Sequence, residues 1–188
     1  MSSPLDSPRL RWILFLLVVL AQLAVPVTMI RGKEKVLAEG ELYRFRTAPV
    51  DPYDAFQGRY VALGFDEVRK AHRLTSETAR EGQRLYAVLE RDGEGFAHIK
   101  TLLESPPASG DYLRVKVRSV VGDSVTVSFP FDRYYLEEDL APAAEQVYWD
   151  ASRAQNRQAW VEVRVLAGKA ALEELYLDGK PIHEALQP

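Results

Sequence analysis

The chain has 188 residues, 47% of them hydrophobic and 27% charged, with a formal net charge of -3. That is the length of one domain with room for an appendage, and the balance fits neither a disordered chain nor a nucleic-acid binder. The absence of cysteine excludes disulfides, thiolate zinc sites, Cys-ligated iron–sulfur clusters and thiol nucleophiles.

After a short tail (residues 1–11), Trp12 to Ile30 is an uncharged run reading WILFLLVVLAQLAVPVTMI. As a helix rising about 1.5 Å per residue it spans roughly 28 Å, close to the ~30 Å hydrocarbon core of a bilayer. Lipid offers the backbone no water to bond, so helix is the expected state, with the bilayer as the partner of residues 12–30. Pro26 is expected to bend the helix or close it early. Small residues at a cleavage spacing are poorly supplied around Ala24-Val25-Pro26, so an uncleaved signal anchor leads over a cleaved signal. Arg9 and Arg11 precede the run while Arg31, Lys33 and Lys35 follow it, a count that by itself slightly favours the reverse topology. A short tail followed by a whole domain is nevertheless the layout of a signal anchor facing outward. The expected location is therefore a single-pass membrane protein with its C-terminal domain on the extracytoplasmic or periplasmic side.

Residues 31–188 carry a net charge of -4. Such a surface is expected to recruit no nucleic acid and to present no broad basic patch to anionic lipid. Alternation with period two dominates this part. Leu42 to Arg46 reads as a strand, Val61, Leu63 and Phe65 form an apolar row, and Leu85 to Glu90 reads as another strand. Leu113, Val115 and Val117 alternate with Arg114, Lys116 and Arg118; Val125, Val127 and Phe129 alternate with Thr126 and Ser128; Val161, Val163 and Val165 alternate with Glu162 and Arg164. Ala171 to Leu177 closes the series. The pattern predicts strands with one face in a core and one in water. Turn signals at Asp92-Gly93, Ser109-Gly110, Gly122-Asp123, Gly168 and Asp178-Gly179 separate them. A hairpin is expected around Gly122-Asp123, and Leu172–Leu177 is expected to pair back across Gly168. One short helix is expected from Pro142 through Ala143, Ala144, Val147, Ala151 and Ala154, and a second over Thr75 to Gly82. The predicted fold class is mainly β, a β-rich α+β arrangement. Its antiparallel sheets form a sandwich or partly open barrel with one or two short helices, preceded by a single transmembrane helix.

The most distinctive segment runs from Pro49 to Phe65: PVDPYDAFQGRYVALGF. It resembles the signature of the bacterial membrane-anchored family named for a GDYXXLXY motif, an Asp-Pro-x-Asp turn followed by Gly-Asp-Tyr-x-x-Leu-x-Tyr. Gly58, Tyr60 and Leu63 match the motif, and Asp51, Pro52 and Asp54 match the turn. Arg59 stands where the pattern has Asp, and Phe65 where it has Tyr. Asp132-Arg133-Tyr134-Tyr135-Leu136-Glu137-Glu138 and the closing Lys169–Pro181 stretch are similar to later blocks of the same family. The resemblance implies one N-terminal transmembrane segment and leaves the chemistry open.

Seven residues are candidates for a binding or structural site: Asp51, Asp54, Arg59, Tyr60, Arg133, Tyr135 and Glu137. Asp51 and Asp54 read either as turn residues accepting backbone N–H bonds or as a carboxylate pair for a divalent cation, though no calcium-loop spacing is present. In an extended run Arg133, Tyr135 and Glu137 share one face, so Arg133 is expected to pair with Glu137 or to reach back to Asp51 or Asp54. Tyr and Arg together suit a peptide or glycan interface. His72, His98 and His183 lack metal spacing, the serines lack a G-x-S-x-G elbow, and Gly93-Glu94-Gly95 is no phosphate loop. No catalytic residue, metal ligand or cofactor is assigned. The leading reading is an accessory or partner-binding module for another membrane protein. The alternative is a cell-envelope hydrolase acting on peptide or glycan through Asp51/Asp54 and Arg133/Glu137.

Overall fold

The computed structural model describes residues 8–48, 60–73, 79–137, 140, 143–144, 146–148 and 158–186. The apolar run forms the greater part of helix α1 (Pro8–Glu39), 32 residues or about 48 Å long, which continues through Pro26 and nine residues past Ile30. Within the apolar run every large apolar side chain from Trp12 to Ile30 but Leu14, Val19 and Val27 is more than half exposed, as expected where the solvent is lipid. The far end of the helix docks. Val36 is buried, and Lys33 Nζ donates to the Ala170 carbonyl at 3.2 Å. The Gly40 N–H closes the helix on the Val36 carbonyl at 2.9 Å, and a Cβ at Gly40 would lie 2.4 Å from that oxygen. Only glycine lets the chain turn so sharply into the first strand.

That strand is β1 (Glu41–Ala48), and β2 (Tyr60–Ala62), β3 (Gly64–Phe65), α2 (Asp66–Arg69) and β4 (His72–Arg73) follow. Next come β5 (Arg84–Arg91), β6 (Ala97–Leu103), β7 (Tyr112–Val121), β8 (Ser124–Ser128) and β9 (Arg133–Tyr135). The chain then forms β10 (Ala159–Leu166), β11 (Lys169–Leu177), β12 (Lys180–Pro181) and α3 (Ile182–Ala185). Two five-stranded sheets result, in the orders β12-β11-β10-β1-β3 and β4-β8-β7-β5-β6, with β2 and β9 as a separate two-stranded ladder. Every ladder is antiparallel. Single bridges, Arg44 to Phe96 and Leu113 to Gly168, stitch the large sheets together and bring them near to closing as a barrel.

The alternating residues point where their pattern requires. Leu113, Val115, Val117, Val125, Val127, Val161, Val163 and Val165 are all buried between the sheets. Each such side chain contributes about 1.5–3 kcal/mol by leaving water. At the centre four rings, Phe45, Phe65, Phe129 and Phe131, pack with centroids 5.0–6.3 Å apart. The β7–β8 and β10–β11 hairpins form as the turn signals predict. At Ala167-Gly168 and Asp178-Gly179 both turn residues have positive φ, the two-residue turn whose twist matches antiparallel strands.

Two expectations need revision. Of the helix expected over Thr75 to Gly82, the described residues 79–82 are not helical: the Gln83 N–H closes a turn on the Arg80 carbonyl at 3.0 Å, Gly82 has φ +82, and its N–H bonds the Val117 carbonyl at 2.9 Å. A left-handed residue tied to a strand cannot propagate a helix. Strand β6, which was not expected, pairs with β5 along a ladder that slips by one residue between Val88 and Leu89. The helix expected after Pro142 is present where it is described: Ala143, Ala144, Gln146, Val147 and Tyr148 are helical. Ala144 and Tyr148 are buried, and the Tyr148 hydroxyl donates to the Ala48 carbonyl at 3.3 Å. Ala151 and Ala154 lie outside the described residues.

Candidate functional site

The distinctive segment enters the described structure at Tyr60 and crosses between sheets within six residues. Tyr60–Ala62 pairs with β9, whereas Gly64–Phe65 pairs with β1. At the crossing the Leu63 N–H donates to the Asp132 carbonyl at 2.9 Å. Val61, Leu63 and Phe65 face inward and are buried, so the apolar row anchors the segment while Tyr60 stays on the outer face. Phe65 completes the four-ring cluster.

The ladder register sets Tyr60 opposite Tyr135 and Ala62 opposite Arg133. The two tyrosine rings lie 5.7 Å apart at 60°, and the Arg133 guanidinium sits 4.7 Å from the centre of the Tyr60 ring. Arg133 is held above its ordinary value, first by a side-chain hydrogen bond with Tyr135, with the tyrosines and Asp132 adding attraction. Tyr135 is 67% exposed, so one ring of this aromatic–cation unit faces solvent. Tyr134, between them, turns the other way: its hydroxyl donates to Glu174 Oε1 at 2.6 Å, and burial and then that carboxylate push its ionisation upward. The same Oε1 accepts the Leu175 N–H at 3.0 Å, while Oε2 lies 3.3 Å from His183 Nδ1. The exposed pair is thereby fixed from behind to β11.

Of the seven candidate residues, the fold brings Tyr60, Arg133 and Tyr135 together. Asp51, Asp54 and Arg59 lie outside the described residues. Glu137 is exposed beyond the end of β9, and among the described residues Arg133 forms its ion contact with Asp132, at 3.9 Å, rather than with Glu137. Two residues that spacing did not single out also belong here. A groove of about 470 Å³ runs along β9, and Lys33 of α1 and Glu173 of β11 line it with Asp132, Arg133 and Tyr135. Lys33 stands one turn beyond the apolar run, so this groove opens close to the level at which the helix leaves the lipid. Its lining mixes both charge signs with tyrosine. Among the described residues no group of three or more His, Asp or Glu side chains gathers in a way that could hold a metal ion.

The family model described as GDYXXLXY protein matches residues 22–175, which takes in the later half of α1, the Tyr60–Tyr135 ladder and both large sheets apart from β12 and the end of β11. The chain belongs to the GDYXXLXY family. No curated protein and no solved structure matches it. In this member of the GDYXXLXY family the described part of the motif segment is buried on its inner side and half-buried on its outer side. Among the described residues one helix, α1, is long and apolar enough to cross a membrane, and it anchors the chain with the domain of residues 40–188 extracytoplasmic.

Proposed function

We propose that this member of the GDYXXLXY family is an accessory module that binds the extracytoplasmic part of another protein of the same membrane. The tilted Tyr60–Tyr135 pair, with Arg133 over the Tyr60 ring, is the contact. The supporting observation is the exposure of Tyr135 beside a groove that also includes Lys33 of the membrane helix. An aromatic ring held in one orientation loses little freedom on binding, and Tyr with Arg dominates the energetics of protein interfaces. The mixed charge of the groove suits a polypeptide better than a polyanion. Its place near the end of the apolar run sets the partner at the membrane surface. As a non-catalytic reading it needs no nucleophile, base or metal.

The test is co-purification of the full-length chain from mild detergent, comparing wild type with Tyr135→Ser and Arg133→Gln. Both side chains are exposed, so the fold should melt at the wild-type temperature. The expected result is a membrane protein that accompanies the wild type and is depleted about tenfold or more with either variant. Equal recovery with all three forms overturns the assignment of the contact. Release of envelope peptide or glycan fragments by the purified chain would replace the binding reading with a hydrolytic one.

A further inference from the structure

A second groove, of about 720 Å³, lies between the end of α1 and the outer face of β7. It differs from the first in chemistry. Five cations line it, Lys33, Arg84, Arg114, Lys116 and Lys169, and no carboxylate does. They come from four segments of the chain, α1, β5, β7 and β11, and the fold alone gathers them. The expectation that a domain of net charge -4 presents no basic patch to lipid therefore fails locally.

Several cations elsewhere in the chain are spent on carboxylates. Arg44 pairs with Glu162, Arg46 with Asp92 and Glu94, Arg91 with Glu41, Lys100 with Glu90 and Arg164 with Glu173. Arg84, Arg114, Lys116 and Lys169 have no carboxylate partner among the described residues. Arg84 and Lys116 are moreover directly opposite in the β5–β7 register. Like charges at such positions repel, a cost that a bound anion would remove. The groove also has an apolar side, from Met29 of α1 together with Pro130 and Ala170. Met29 belongs to the last turn of the lipid-spanning run, and Lys33 follows one turn later, about 6 Å further along the axis. The apolar part thus meets the hydrocarbon boundary and the cations stand at headgroup height.

We propose that this groove holds an anionic phospholipid of the leaflet into which α1 opens, with the headgroup phosphate among Arg84, Arg114, Lys116 and Lys169 and an acyl chain along Met29. The occupant follows from charge complementarity combined with depth. A soluble polyanion would satisfy the cations but has no use for an apolar side continuous with the bilayer, and a zwitterionic lipid brings a cation of its own beside the phosphate and so relieves the repulsion less. This inference stands apart from the partner-binding reading, because the two grooves share only Lys33 and Pro130.

The experiment is native mass spectrometry of the full-length chain in detergent micelles titrated with dioleoyl-phosphatidylglycerol, with dioleoyl-phosphatidylcholine, or with inorganic phosphate. A cation at a membrane surface strengthens anion binding by roughly fivefold. The wild type should therefore retain phosphatidylglycerol at least about tenfold more tightly than phosphatidylcholine. The double variants Arg84→Gln/Lys116→Gln and Arg114→Gln/Lys169→Gln should each abolish that preference. Arg44→Gln/Lys100→Gln, which removes paired cations elsewhere, should keep it. Lys169→Gln, at an exposed hairpin position, gives the same comparison with a single side chain and should lower retention severalfold even where a double variant folds poorly. Equal retention of the two lipids, or an unchanged preference in the groove variants, overturns the proposal. Displacement of the lipid by inorganic phosphate at equal concentration overturns it too, since free phosphate would then be the better occupant.

Discussion

Glu67 Oε2 accepts the backbone N–H of Ile99 at 2.9 Å, joining α2 to β6 where the β5–β6 ladder slips by one residue. Its other oxygen meets Lys70 Nζ, and its own carbonyl lies 2.9 Å from His72 Nε2. Glu67 is the one charged residue buried among the described residues, and it is buried as an acceptor for a strand amide. Glu67→Ala should leave that N–H without a partner and cost about 1–3 kcal/mol. Glu67→Gln, which keeps an acceptor oxygen, should cost less. Thermal unfolding of the full-length protein in detergent, followed by near-ultraviolet circular dichroism, separates the two. Equal melting of Glu67→Ala and wild type would show that the ladder does without this carboxylate.

By the resemblance of residues 58–65 to the GDYXXLXY pattern, Phe65 stands where that pattern ends in Tyr, and here its ring contacts Phe45, Phe129 and Phe131. Phe65→Tyr should destabilise the chain by about 1–3 kcal/mol, because the added hydroxyl enters an all-phenylalanine cluster. The same melting experiment reads it. A neutral substitution would mean that the hydroxyl reaches an acceptor at the edge of the cluster, as it would have to in a member carrying Tyr.

Asp92 organises the β5–β6 turn. Its Oδ1 accepts the N–H groups of Glu94 and Phe96 at 2.9 and 2.8 Å, and Oδ2 pairs with Arg46 at 2.9 Å. The Phe96 hydrogen bond is the largest cause holding its carboxyl below the ordinary 3.8, with Arg46 and Glu94 adding to it against desolvation. The sign follows. Stability from this group is complete above 3.8 and is lost as pH falls through the lower native value. Asp92→Asn should therefore lower the melting temperature at pH 7 and show a shallower loss between pH 4 and the acid limit than the wild type. Parallel pH profiles would contradict the role.

Gly168 and Gly122 both have positive φ, +77 and +57, but different surroundings. A Cβ at Gly168 would lie 2.6 Å from Tyr112 Cε2, whereas one at Gly122 meets open space. Gly122→Ala should cost about 1–2 kcal/mol, from backbone conformation alone. Gly168→Ala adds a steric clash at the bridge between the two large sheets and should cost ~2–4 kcal/mol. Comparable melting temperatures for the two variants would show that the Tyr112 ring moves aside freely.

What the sequence makes legible is local. Val125, Val127 and Phe129, or Val161, Val163 and Val165, declare a strand because one side of a pleat faces oil and the other water. Strand β6 escapes that rule for a physical reason: Ala97 and Ile99 are buried in one phase and Leu102 in the other, because the slip opposite Val88/Leu89 shifts the alternation midway. The turn over Ala79–Gly82 escapes because its conformation is set by a bond to Val117, 35 residues further along the chain. At the candidate site, Tyr60, Arg133 and Tyr135 could be picked out by residue type. Their meeting, and the pairing of Arg133 with the Tyr60 ring instead of Glu137, depend on a ladder joining segments some 70 residues apart. The five cations of the second groove were the least legible. Arg114 and Lys116 sit in a short basic window that reads as the solvated face of a strand, and only the crossing of α1, β5, β7 and β11 adds Lys33, Arg84 and Lys169 to it.

Because α1 runs unbroken from the bilayer to Gly40, with Val36 and Lys33 seated on the domain, nothing resembling a hinge separates lipid from β1. The domain therefore rides at one height and one tilt, turning only as the whole rod turns. Whatever it recognises must arrive by lateral diffusion at that altitude, a two-dimensional search in which rigidity replaces reach.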